Sequence, residues 1–323
     1  MTSERAALDE SDTATVASRV EDLGQSLPTQ VHAPSDAPVH EHVRAALDHR
    51  TRRLLEHDPG TRSGEDPEDL HQMRVAVRRM RAVLKAGGPF LDASFAEPLR
   101  ADLGELGRAL GPVRDLDVMS AQLRAQAAGL PVEDQRAADR LLQGFDAEHD
   151  SARRELLSVL DSQGYLDLLH RLVAALNTPL PHQDSDVDGS ETLRTLAAKQ
   201  FRTLRKEIRA LDTEPADDAL HAIRIRVKRL RYTGELATPI SGKPVRRVVK
   251  AAARLQDVIG DHQDACVAIE RLRTLVTELG DEACPDVALA AGRLVEREHR
   301  RRLAQRDLWP GAWRKLRKRG EAL

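Results

Sequence analysis

Two histidines, His71 and His221, each open the same run of cations, with basic residues three, seven and ten positions further on. The first run is His71, Arg74, Arg78 and Arg81; the second is His221, Arg224, Lys228 and Arg231. At helical spacing these positions form one stripe about 80° wide, with rungs about 5 Å apart. Lys85 extends the first stripe by a turn, whereas Glu235 stands at the matching place in the second. Arginine offers a planar fork that grips phosphate oxygens two at a time, and lysine acts as a point charge. A ladder of such groups suits a linear chain of phosphates better than a single phosphate. Both histidines fall close to helix N-termini, where the dipole disfavours a proton on imidazole and favours a bound anion. They could hydrogen-bond phosphate, hydrogen-bond within a bundle, or ligate a metal. The metal reading is the weakest, because no histidine or carboxylate stands four residues after either one.

Arg79 and Arg229 lie at the edges of the stripes and could reach a ligand or pair with a neighbouring helix. Arg44, Arg52, Arg194 and Arg202 recur in the first helix of each half and are candidates for a second cationic wall. Asp115 and Asp264 read as internal partners that orient arginines. Like charges three and four apart cost a helix roughly 0.2–0.5 kcal/mol per pair. A single basic helix is most simply a solvated face, or one neutralised by carboxylates; a matched pair of stripes favours anion binding.

The elements that must carry these stripes are amphipathic helices. Met73, Val77, Met80 and Leu84 lie opposite the first stripe, and Ile223, Val227 and Leu230 opposite the second. Aromatic residues make up only 2% of the chain against 41% hydrophobic residues overall, so the core must be built from Ala, Leu and Val, which favours helix-on-helix packing. A first helix from Glu41 is expected to stop at Asp58-Pro59-Gly60. Asp66 and Pro67 form a cap and first turn for the basic helix, which ends at Gly87-Gly88-Pro89. A third helix over residues 95–110 is expected to be interrupted by Gly111-Pro112 and resumed to Ala127, with further helices over 133–160 and 165–176. Four blocks keep an offset of 149 or 150 residues: Glu41/Glu191, His71/His221, Asp115/Asp264 and His149/His299. This is the mark of a tandem duplication.

The HxxRxxxRRxR run at His71–Arg81, the HxxRxxxKRxR run at His221–Arg231, LG-x-x-RDxD at Leu110–Asp117 and LQDxxGDxxD at Leu255–Asp264 resemble the CHAD family of α-helical domains, over roughly residues 39–316. The resemblance implies an all-α fold: two tandem, pseudo-symmetric antiparallel helical bundles around a basic central groove that binds inorganic polyphosphate, with no established catalysis. Some relatives carry a triphosphate tunnel domain, for which the segment before residue 39 is expected to be too short. The chain then divides into a mobile tail over 1–38 (or a segment that docks a protein partner), a first bundle over 39–178, a linker over 179–189 and a second bundle over 190–323. In RDxD, Arg114 and Asp117 give way to Gln263 and Cys266 in the second half, so the halves are not expected to contribute equally.

Net charge narrows the ligand. At −2 the chain is not basic as a whole, so its cations are local and offset by acids elsewhere, which disfavours a broad nucleic-acid surface. Scarce aromatics remove the stacking platforms of single-strand binders. Two cysteines, Cys266 and Cys284, form no CxxC pair. No secretory signal or apolar span is visible, and a cytoplasmic protein, associated through the resemblance with polyphosphate granules, is expected. No cofactor, metal or catalytic residue is expected. The rival readings are a histidine-dependent polyphosphate hydrolase or phosphotransferase, and a scaffold for acidic peptides or nucleic acid.

Overall fold

The computed structural model describes residues 16–182, 189–280 and 284–323. The fold is all-α: apart from an isolated bridge between Leu91 and His182, no β-structure occurs among the described residues. Helix α1 spans residues 16–25, followed by α2 (Val39–Ser63), α3 (Pro67–Gly87), a 3-10 turn (Gly88–Phe90), α4 (Ala93–Ala127), α5 (Val132–Leu142), α6 (Gly144–Leu160), α7 (Gln163–Asn177), α8 (Gly189–Arg209), α9 (Asp217–Leu279) and α10 (Pro285–Gly320).

Several expected stops are run through. Pro59 and Pro112 lie inside α2 and α4, each on an exposed face. A helical proline frees the carbonyl four residues earlier. For Pro112 that residue, Arg108, is itself exposed, so water can take the freed bond and the helix continues. Helix α2 ends instead at Gly64, whose φ of 72° closes the helix with its N–H on the Gly60 carbonyl at 2.9 Å.

The chain forms two compact units, Met1–Arg114 with Ser151–Thr192, and Asp115–Asp150 with Leu193–Leu323. This grouping differs from the contiguous halves expected at 39–178 and 190–323. Because α4 is not broken at Pro112, it delivers Leu123 and Ala127 into a core with Leu272, Leu275, Val287 and Leu294. Residues 115–150 thus join the second unit.

In the first unit, α2 and α3 pack side by side, and Val43, Leu47, Leu54, Met73, Val77, Met80 and Leu84 are buried. A polar knot pins α2 to the end of α6 and the start of α7. Asp58, 2% exposed, accepts from Arg62 Nε at 2.7 Å and from the Tyr165 hydroxyl at 2.6 Å; Arg62 also meets Asp161 and the Leu160 carbonyl. Part of the expected mobile tail is tied down: Val16 and Val20 are buried, and Val31 donates its N–H to Asp48 at 3.3 Å. The rest of that tail, residues 1–15, and most of the expected linker, residues 183–188, lie outside the described residues.

In the second unit, α9 is two arms joined at Gly242, whose φ of 66° and ψ of −150° no helix adopts. The arms turn back on each other, bringing Gly234 against Val249, Arg231 against Gln256 and Arg224 against Gly260. Leu220, Ile223, Val227 and Leu230 of the first arm share a core with Val248, Leu255 and Ile259 of the second, with Phe201 and Leu204 of α8, and with Trp313 and Leu316 of α10.

Candidate anion-binding stripes

Helix α3 presents the first stripe. Asp66 caps it, accepting the Glu68 N–H at 2.8 Å, and Pro67 sits at its first position, so His71 falls in the second turn. The apolar positions are buried and the stripe positions half-buried or exposed, as the periodicity dictates. The structure brings His71, Arg74 and Arg78 together with a cation the sequence reading left out of the site, Arg114 near the middle of α4. The imidazole of His71 is held below its ordinary pKa, first by burial, then by Arg114, Arg78 and Arg74, with Glu68 pulling the other way. The signal for Arg114 was present: it is the arginine of the RDxD element. Further along α3, the guanidinium of Arg81 lies over Gly104 and Gly107 of α4; a side chain built at Gly104 would meet its Nη2 at 3.4 Å. Lys85 is exposed in the last turn.

The second stripe runs along the first arm of α9. Arg224 lies against Gly260, where an added Cβ would meet its Nε at 3.4 Å, and that Nε is buried without a hydrogen-bond partner among the described residues. The Nδ1 of His221 is likewise buried, and no described residue supplies it a hydrogen bond. Asp264 faces Arg224 and Arg301 from the second arm. Surrounding protein, with Asp261 and Asp115, pushes its carboxyl above the usual range against the pull of those arginines. Arg231 is already engaged. Its Nε donates to Glu235 at 2.8 Å and its Nη1 to Gln256 at 3.4 Å. The glycine that Arg81 overlies, Gly107, is replaced by Gln256 at the matching place, and Lys85 by Glu235. The two replacements give Arg231 acceptors that Arg81 does not have among the described residues. Lys228 and Arg229 are half-buried on the same arm.

Two members of the candidate second wall have partners inside the first unit. Arg44 donates to the Leu176 carbonyl at 2.7 Å and holds α7. Arg52 grips the buried Asp48 at 3.0 and 3.1 Å and donates to the Pro28 carbonyl, clamping the N-terminal segment. Both spend their forks inside the first unit. Arg194 donates to the carbonyl of Leu323 at 3.2 Å, and Arg202 is exposed on α8. Arg79 lies close enough to His49 of α2 for its charge to help lower that imidazole's pKa, after burial and two other arginines, and its Nε is buried without a hydrogen-bond partner among the described residues. His149, given no role from sequence, meets Asp117 at 2.8 Å.

Among the described residues one group has metal-ligand composition: Asp217, His262 and Cys266. Its carboxylate is taken by Arg302 at 2.8 Å and Arg306 at 3.1 Å, and burial with the neighbouring Asp217 pushes the Cys266 thiol up to about 11. Two guanidiniums and a protonated thiol oppose a cation there. No described helix is long and apolar enough to cross a membrane.

Comparison with known proteins gives a consistent picture. The CHAD domain family matches residues 45–273. Two uncharacterised proteins from strains of Mycobacterium tuberculosis are 29% identical over 255 residues, which is 76% of this chain and 47% of each relative. The chain thus spans about half the length of the curated relatives it matches. The crystal structure of the CHAD domain from the plant Ricinus communis superposes with a TM-score of 0.66 at 26% identity, covering 92% of this chain and 96% of that one. PptA from Streptomyces chartreusis shares the fold, with a TM-score of 0.67 at 20% identity, over 86% of this chain and all of that one.

Proposed function

This chain belongs to the CHAD domain family, and we propose that it binds inorganic polyphosphate without transforming it, using the stripes of α3 and of the first arm of α9 as phosphate tracks. The observation that carries this reading is the gathering of Arg74, Arg78 and Arg114 about His71. After burial, the first cause, these cations lower the imidazole pKa further, and together they create a local positive field that a phosphate chain relieves. Each phosphate supplies about one charge and no base, so the tracks need no aromatic platforms. Arg81 continues the first track over the Gly104–Gly107 face, and Arg224 continues the second over Gly260. The same affinity would bring the protein to polyphosphate granules. The test is a titration of the whole chain with long-chain polyphosphate beside RNA of equal charge. Tighter binding of polyphosphate, weakening as salt rises, is expected. Failure to bind polyphosphate at low salt would overturn the proposal.

A further inference from the structure

The second unit carries another concentration of cations, which neither stripe includes. Arg247, Lys250 and Arg254 recur along the second arm of α9, and Lys315, Lys318 and Arg319 along the end of α10. At three- and four-residue spacing each set holds one helical face. Two adjoining cavities of about 510 and 490 Å3 share Arg254, Ala312, Lys315 and Lys318, so they form one continuous groove. Its floor is apolar, built from Ala251, Val258, Leu308 and Ala312, and Leu308 is 51% exposed.

This groove is not the phosphate track. Gln256 and Gly260 meet Arg231 and Arg224 of the stripe. Arg254 and Val258 stand two residues from them, about 200° round the helix, on the other side of the arm. The rim cations differ from others on α10: Arg300 pairs with Glu296 at 2.9 Å and Arg317 with Glu321 at 3.9 Å. None of the six rim residues has a carboxylate partner among the described residues.

We propose that this groove docks an acidic amphipathic helix of a partner protein. A phosphate chain could satisfy the rims but would leave the floor and Leu308 facing water. A helix with an apolar strip between acidic flanks satisfies both, which is the mode of helix-in-groove recognition. The distance from Arg247 to Val258 along α9 is about 16 Å, room for about three turns of a partner helix. The inference stands independently of polyphosphate binding.

The experiment is fluorescence anisotropy of the whole chain with a labelled peptide of about 12 residues, carrying Leu at helical spacing and Glu elsewhere. A control peptide has Ser for every Leu. The Leu/Glu peptide should bind, and the Ser control about tenfold or more weaker. Lys315→Glu/Lys318→Glu, at exposed positions, should weaken the peptide by about tenfold, as should Leu308→Ser, which keeps every charge. Arg74→Ala/Arg224→Ala should leave peptide binding unchanged, and polyphosphate should not displace the peptide from that variant. Equal binding of the two peptides, displacement by polyphosphate, or full affinity in both groove variants would overturn the proposal.

Discussion

At the scale of single residues, the contrast between Arg81 and Arg231 has a measurable consequence. Arg231 must give up its bond to Glu235 before it can grip phosphate, and Glu235 itself repels an anion. Glu235→Lys restores the pattern of the first stripe and should tighten polyphosphate binding about three- to fivefold by calorimetric titration, a gain of roughly 0.5–1 kcal/mol typical of exposed charge pairs. An unchanged affinity would show that the second stripe stops short of this turn. His71 makes a separate prediction. Its pKa is depressed in the free protein, and a bound phosphate chain would raise it, so the complex takes up a proton that the free protein does not. Affinity should therefore rise as pH falls from about 7.5 to 6, and His71→Gln should flatten that rise. Stability runs the other way. His40, His42, His49, His71 and His262 are all depressed, with burial the first cause, so the unfolded chain binds protons the native one refuses. Their contribution is complete above about 6.5 and is lost as pH falls toward the native values, so Tm should drop between pH 7.5 and 5.5, and drop less with polyphosphate bound.

At the scale of elements, Arg44 and Arg52, two of the candidate second-wall arginines, hold neighbouring segments of their own unit. Arg52→Ala would leave the fully buried Asp48 with the Val31 N–H but no guanidinium and would release the Pro28 carbonyl, costing about 1–3 kcal/mol in denaturant unfolding while leaving polyphosphate affinity unchanged. Tyr165→Phe would take one of two donors from the buried Asp58 and should cost about 1 kcal/mol, because Arg62 remains. A loss of polyphosphate affinity in Arg52→Ala would return it to the site. These roles were illegible because recurrence at a fixed offset marks a shared position without saying whether the side chain points to ligand or to backbone. The stripes themselves were legible: a 3.6-residue period separates Met73, Val77 and Met80 from the cations whatever the tertiary context, and Asp66-Pro67 and Gly87-Gly88-Pro89 bracket the helix by local chemistry. The prolines misled for a physical reason. Pro112 breaks a helix when its freed carbonyl is buried, and here that carbonyl belongs to exposed Arg108.

At the scale of the whole molecule, the all-α fold and the CHAD relationship could be read from composition and paired motifs, whereas the division into units could not. An offset of 150 residues predicts contiguous halves, but only packing reveals that Leu123, Ala127 and Phe145 share a core with Leu272 and Leu294. Arg114 ends one unit's segment and was missed because its partner in space, His71, is 43 residues away in sequence. The net charge of −2 adds a global constraint: attraction must come from local clusters of cations, so binding should be salt-sensitive and weaken when the stripes are neutralised. The most direct measurement is the slope of log affinity for long-chain polyphosphate against log salt concentration, in the native chain and in Arg74→Ala/Arg78→Ala/Arg81→Ala. Each lost phosphate contact should reduce the slope by about 0.7, so the variant should be shallower by about 2 and bind at least about tenfold more weakly at low salt. An identical slope and affinity in the variant would contradict the account.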